Sequence, residues 1–423
     1  MIPLNDRNQS QIVEHTINDY SVESTRNKIC NRPLRKFKYY FLFILILSIT
    51  GLASFITLII SRIHLVNQLK HINMTNQVCY QQLTNLVSTC KRNGPKNKSQ
   101  AIVSFFLDQQ HSNRHQLKSN LKWEQNAETV AGGKEDGDEL NQLSGPHGIY
   151  VSHHQQQTIY IADFNNHRIV KWKLGEQNGQ IVAGGNGSGN KIDRLNRPID
   201  VIVDENNKSL IICDRGNKRV VRWSLENQQD KQILIRNINC WGLMMNENGD
   251  LFVSDFEKHE VKRWRKGEKN GTIVVGGKGK GDKLNQLNQP TFIFIDRQET
   301  IYVSDCSNHR VMKWIKGAKE GIVVAGGGQS KGSSLKQLSC PEGLIVDEDG
   351  DVYVADGWNH RITCWSPGSQ EGRVVAGGKD EGQDLNQFNY PRGLSFDVEN
   401  NLYVVDYFNN RIQRFSVDKK QVL

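Results

Sequence analysis

The 423-residue chain exceeds one ordinary domain, and its formal charge of +9 is unevenly spread: 15 basic and 5 acidic residues up to Asn120, then 39 and 40 beyond it. The larger, near-neutral part lacks the clustered surplus of Lys and Arg that coats a phosphate backbone, which argues against nucleic-acid binding at domain level and leaves room for a local patch only. No His-Glu-x-x-His or Cys-x-x-Cys occurs, so zinc-protease, RING and zinc-finger chemistry have no support.

Residues 1–38 are polar and poor in apolar side chains, and read as a disordered cytoplasmic tail. Tyr39 to Ile60 then runs 22 residues without a charge. As a helix it reaches about 33 Å, enough to cross a hydrocarbon core of ~30 Å. An uncleaved transmembrane anchor over 39–60 is the expectation; a cleaved signal, with Gly51, Ala53 and Ser54 as the small residues, or a buried core helix are the alternatives. Arg26, Lys28, Arg32, Arg35, Lys36 and Lys38 precede the segment, against Arg62 and Lys70 after it, which puts the N-terminus inside and the rest outside, most naturally at the plasma membrane. Five glycosylation sequons follow the anchor, at Asn73, Asn97, Asn186, Asn207 and Asn270.

Residues 61–120 read as an extracellular stalk. Leu65, Leu69, Ile72, Asn76, Cys79, Leu83, Leu86 and Cys90 alternate in steps of four and three, the seam of a coiled coil with Asn76 at an a position. A solvated, glycosylated stalk with accidental spacing is the alternative. On a helix Cys79 and Cys90 stand about 16 Å apart, too far to bond each other, so they are expected to cross-link a homodimer. Arg92-Asn-Gly-Pro95 ends the pattern.

From residue 121 to the end the sequence repeats itself. One unit reads Val323-Val-Ala-Gly-Gly327, Leu335-Lys-Gln-Leu338, Pro341-Glu-Gly-Leu-Ile-Val-Asp347, Val352-Tyr-Val-Ala-Asp356, Asn359-His-Arg-Ile362, Trp365. The closing aromatic recurs at Trp172, Trp223, Trp264, Trp314, Trp365 and Phe415. Short Val/Ile/Leu/Tyr runs between Gly, Asn and Asp turns are strand chemistry, and four strands per 40–50 residues is the spacing of a propeller blade. The first strand, Thr129 to Gly133, is what the last repeat lacks, so it is expected to complete blade six and shut the ring.

Asp163-Phe-Asn-Asn-His167-Arg-Ile, Asp305-Cys-Ser-Asn-His309-Arg-Val and Asp356-Gly-Trp-Asn-His360-Arg-Ile resemble the NHL repeat. The resemblance covers all six units and implies an all-β, six-bladed propeller. Blade two departs with Asn217-Lys-Arg, blade six with Asn409-Asn-Arg, and blade three with Lys258-His-Glu and no Gly-Gly loop before its first strand.

The recurring Asp163, Asp214, Asp255, Asp305, Asp356 and Asp406 read as buried carboxylates accepting turn hydrogen bonds from nearby His, Arg or Asn, not as a metal ring. His167, His259, His309 and His360 lie a blade apart, too far to share one zinc ion. The glycine run at Gly184 to Gly189 lacks the βαβ context of a phosphate loop. No cofactor or metal is expected. Register places Cys213 beside Cys240 and Cys306 beside Cys340 across neighbouring blades, as two disulfides that an extracellular site permits, leaving Cys364 as a packed free thiol.

The favoured function is a cell-surface scaffold that binds a protein or glycan. A propeller hydrolase or lyase with a channel metal, and a substrate-recognition module of a ubiquitin-ligase system as in tripartite-motif relatives, are the alternatives. The loops after each Gly-Gly and the turns after each Asp should share one face. That face gathers Phe164, Phe256, Trp358 and Phe408 from turns, and His147, Trp241, Glu342 and Arg392 at the mouths of the inner strands. Aromatics and Arg anchor interfaces, and these eight differ between blades as a specific site requires; the bland alternative is that some aromatics only cover turns. Removing Trp358 and Arg392 together is expected to abolish binding with little change in melting.

Overall fold

A computed structural model describes residues 122–152, 158–227, 229–327 and 330–418. The tail, the anchor, the stalk heptad with Cys79 and Cys90, and the sequons at Asn73 and Asn97 lie outside them. Among the described residues, 24 strands form six four-stranded antiparallel sheets. No helix among them is long and apolar enough to cross a membrane.

The innermost strands of blades one to six are β2 (Pro146–Val151), β6 (Pro198–Asp204), β10 (Cys240–Met245), β14 (Pro290–Ile295), β18 (Pro341–Val346) and β22 (Pro391–Phe396). Each packs on the next, and β22 packs on β2. At their closest approach only a hydrogen fits: a Cβ on Gly343 would stand 2.2 Å from the Arg392 carbonyl oxygen, and one on Gly393 2.7 Å from that of His147. The second strand of every blade is buried along its whole length, as in β7 (Ser209–Asp214) and β23 (Leu402–Asp406), because both its faces meet neighbouring blades.

Ring closure is as the repeat phase requires. β1 (Glu128–Gly132) pairs with β24 (Arg411–Phe415) as the outer strand of blade six. A lock that the repeat pattern does not announce sits just before it. Trp123 is buried, stacks on Phe396 at 5.9 Å, meets Tyr353 edge-on at 5.5 Å, and donates from Nε1 to the Asn400 carbonyl at 2.9 Å.

The repeated polar motif staples each long loop to its own blade. In blade one Asp163 accepts from the Ser144 N–H at 2.8 Å, Asn166 Nδ2 at 2.9 Å and Arg168 Nε at 2.7 Å. Asn166 also donates to the Gly137 carbonyl, and Arg168 to those of Glu139 and Gln142. Burial pushes the Asp163 carboxyl up, while these donors favour its charged form. The same set recurs around Asp214, Asp305, Asp356 and Asp406.

The histidines depart from the expected role. They do not serve the aspartates; each reaches across to the following blade. Nδ1 of His167, His259, His309 and His360 accepts the backbone N–H of Arg197, Gln289, Cys340 and Tyr390, the residues that enter the next inner strand. All four entering residues have positive φ, between 52° and 60°. In blade six Asn410 Oδ1 does the same for Gly145 at 2.8 Å. Cys213 bonds Cys240 and Cys306 bonds Cys340, with Cα–Cα distances of 5.8 and 4.1 Å, while Cys364 is free and buried.

Candidate functional site

Inner strands start, second strands end and outer strands end on one face, so the Gly-Gly loops and the post-Asp turns emerge together there. Each inner strand is bulged against its neighbour at its entry, for example between Pro146 and Ile149 and between Pro391 and Leu394. A bulge re-aims a side chain. Here it holds the second residue of every inner strand at the channel mouth: His147, Ile199, Trp241, Thr291, Glu342 and Arg392. The frame repeats, and this ring does not.

Arg392 is its centre. Nη1 lies 3.0 Å from His147 Nδ1 and 3.6 Å from Glu342 Oε1, and the guanidinium lies over Tyr407 at 4.2 Å, Tyr390 at 4.8 Å and Trp241 at 5.8 Å. Glu342 is 2% exposed and accepts from the Tyr390 hydroxyl at 3.1 Å. Burial pushes its carboxyl up, and Arg392 and Tyr390 oppose that. Among the described residues, Arg392 Nε is buried with no hydrogen-bond partner, and the Trp241 indole favours the charged form of Glu342. Removing Arg392 would therefore strand a buried carboxylate, so the expectation that it could go with little effect on melting fails on the ion pair.

Burial, then Arg392, then Arg215 push the His147 imidazole well below its ordinary pKa, so it is neutral and its Nδ1 accepts from the Arg392 guanidinium. Its ring lies 4.5 Å from Phe164 and 5.0 Å from Tyr407. Trp241 stacks on Phe256 at 4.7 Å, with Arg215 over its ring at 4.4 Å.

All eight sequence-derived candidates fall on this connected surface, four at the mouths of the inner strands and four on the turns, the turn residues in two classes. Phe164 and Phe256 immediately follow their Asp and turn onto the ring; Trp358 and Phe408 come one residue later and stand 59% and 56% exposed. The first class has two members that sequence reasoning passed over, Arg215 and Tyr407, although tabulating the residue after each repeated Asp finds both. Tyr390, at the entry to β22, joins the classes, 4.8 Å from Trp358, 5.9 Å from Phe408 and 6.2 Å from Tyr407. Two further residues break the inner-strand glycine position. Asp200 sits there, buried between inner strands, accepting from the N–H of Val201 at 2.9 Å and of Leu243 at 2.8 Å, with burial raising its pKa to about 7. Phe292 is the other.

Among the described residues no three of His, Cys, Asp and Glu group to hold a metal ion. The sequence Gly328-x-Ser330-x-Gly332 has the spacing of a nucleophile elbow, but the elements on either side of it are both strands, β17 (Ile322–Gly326) and β18, where an elbow needs a strand and a helix.

The NHL repeat family model matches residues 143–172, 338–365 and 388–415, so the chain carries NHL repeats on a six-bladed β-propeller. No curated protein matches it. Among solved structures, an auxiliary nutrient binding protein from Bacteroides thetaiotaomicron is similar at 17% identity and TM-score 0.56, over 69% of this chain and 76% of that one. An auxiliary nutrient binding protein from Bacteroides ovatus is similar at 13% identity and TM-score 0.54, over 71% and 78%. A Bacteroides thetaiotaomicron protein of unknown function is similar at 18% identity and TM-score 0.55, over 69% and 76%. At such identities the likeness is one of fold.

Proposed function

We propose that the chain is a single-pass membrane protein, N-terminus inside, that presents its propeller outside the cell as a scaffold binding a protein or glycan. The carrying observation is the contrast at the channel mouth: a frame repeated six times supports a ring of His, Ile, Trp, Thr, Glu and Arg that is different in every blade. Repetition serves stability, and departures from it grouped on one face serve recognition. The 22-residue uncharged run and its basic N-terminal flank support the topology. Asn186, Asn207 and Asn270 are exposed, as glycan acceptors need to be, and the two disulfides suit an oxidising compartment. The stalk heptad supports a parallel dimer cross-linked through Cys79 and Cys90.

Protease added to intact cells should remove the propeller, whereas protection would reverse the topology. Partner capture by the surface-displayed chain should be lost on combining Trp358→Ala with Phe408→Ala. Capture that survives this pair and is lost on changing Lys269 or Asp349 would move the site to the opposite face.

A further inference from the structure

We propose that the propeller mouth takes the carboxylate of an acidic side chain from a partner protein, held between Arg215 and Arg392 over Trp241. The proposal rests on the binding-face reading above and gives it a chemistry. Two guanidiniums flank one indole: Arg215 lies 4.4 Å from the centre of the Trp241 ring and Arg392 lies 5.8 Å from it. Arg215 also covers Phe256 at 5.1 Å, and Arg197 covers Phe164 at 5.7 Å.

Three arginines thus meet where the acids acting on Arg215 are Glu342 and the edge residue Glu257. The imbalance is felt locally. After burial, Arg392 is the largest influence weakening the hold of Arg215 on its proton, and Arg197 adds to it, against Glu342 and Glu257. His147 is depressed by the same two guanidiniums, Arg392 and Arg215. A buried charge needs compensation, and here the compensation is incomplete.

Donors stand ready as well. Arg392 Nε is buried without a partner, and among the described residues Arg215 donates one hydrogen bond, from Nε to Asn239 Oδ1 at 2.9 Å. Planar forks over an aromatic face fit a carboxylate, which accepts through two oxygens. A cationic ligand is disfavoured, because the aromatic cage of Trp241, Tyr390 and Tyr407 already holds a cation, Arg392. An extended polyanion is disfavoured by the charge of the chain beyond Asn120, 39 basic against 40 acidic residues.

The rim selects protein over sugar. Trp358 and Phe408 are exposed and joined through Tyr390 into one apolar ridge beside the arginines. An acidic residue flanked by apolar ones matches that ridge-and-fork layout.

The test uses the full-length chain displayed on cells, probed with a library of short disulfide-closed peptides and, separately, with sialyllactose. Enriched peptides should carry Asp or Glu beside an aromatic or aliphatic residue. Changing that acid to its amide, or making Arg215→Ala, should weaken binding about tenfold or more, with partial recovery in Arg215→Lys. Failure to enrich peptides, enrichment of peptides without an acid, or indifference to the amide change overturns the proposal. Binding of sialyllactose alone, dependent on Arg215, overturns the protein assignment in favour of a glycan. If peptides are lost with Trp358→Ala and Phe408→Ala but keep their affinity in Arg215→Ala, the face reading stands and the acidic one falls. Insensitivity to all of these changes removes both.

Discussion

Blade three and blade four are built from the same four strands, yet they are held together differently. Before its inner strand, blade four has a long loop, 277–289, whereas blade three has only 237–239. Blade four carries Asn308 and Arg310, which bind the carbonyls of Gly281, Asp282, Lys283 and Gln286 in its loop. Blade three has Lys258 and Glu260 at those positions, and Asp255 is left with backbone donors alone, the N–H groups of Lys258, at 3.1 Å, and Glu257. The Asp-Asn-Arg set therefore belongs to the loop and not to the sheet: where the loop is missing, its carbonyls are missing, and the arginine has nothing to hold. Blade three, without the staple, is fastened to blade two by Cys213–Cys240, while blade four has both its staple and a bond to blade five, Cys306–Cys340.

The largest expected effect separates the two blades directly. Arg310→Ala leaves the Asp305 carboxylate buried and short of its charge partner and should cost about 3–5 kcal/mol. Glu260→Ala should cost no more than about 1 kcal/mol, because its partner Lys262 is 21% exposed and can reach water. Denaturant unfolding of both variants decides it, and equal losses would detach the staple from the loop. Next in size is the covalent fastening. Cys213→Ala with Cys240→Ala opens a loop with a sequence separation of 27 and should cost about 3 kcal/mol in the chain-entropy model. A loss below about 1 kcal/mol would mean that packing alone secures blade three.

A smaller effect concerns pH. His147, His167, His259 and His309 are all lowered in the folded state, chiefly by burial. The unfolded chain then takes up protons first, so their contribution to stability is present above the ordinary histidine pKa and is lost as pH falls below it. Asp200, raised to about 7, works in the opposite direction, as do the other carboxyls that burial raises, Asp163 and Glu342 among them. The histidine share of the stability should fall from pH 7 to pH 6. His309→Asn should keep the cap on Cys340, as Asn410 does for Gly145, and flatten that slope. An unchanged slope would remove His309 from the account. The smallest effect belongs to the turn tips, which neither staple nor disulfide involves: Trp358→Ala should shift stability by less than about 0.5 kcal/mol.

Periodicity made the frame legible. Blade number, ring closure and the two propeller disulfides all follow from the phase of the repeat. The mouth ring was legible to the same extent, since His147, Trp241, Glu342 and Arg392 share one repeat position. What the sequence hid was contact across the axis. That Arg392 of blade six meets Glu342 of blade five and Trp241 of blade three depends on how six strands converge, which no local pattern encodes. Arg215 and Tyr407 were hidden differently. Arg215 is not aromatic, and Tyr407 sits beside a second ring, Phe408, from which it differs only by turning inward under Arg392. Trp123 was hidden because it precedes the first repeat and has no counterpart to compare with.

The closing pair of strands also sets how the ring answers a mechanical pull. Glu128, at the start of β1, lies opposite Arg414, and Gly132 at its end lies opposite Arg411, on the loop-bearing side. Tension between the segment preceding β1 and a partner seated on the loop face therefore runs along the strands, at right angles to their hydrogen bonds. Those bonds are loaded in parallel and must give way together, in shear, whereas the same pair tugged sideways would open one bond at a time. With Trp123 wedged ahead of β1, the single seam of the ring resists most strongly along the direction of its strands.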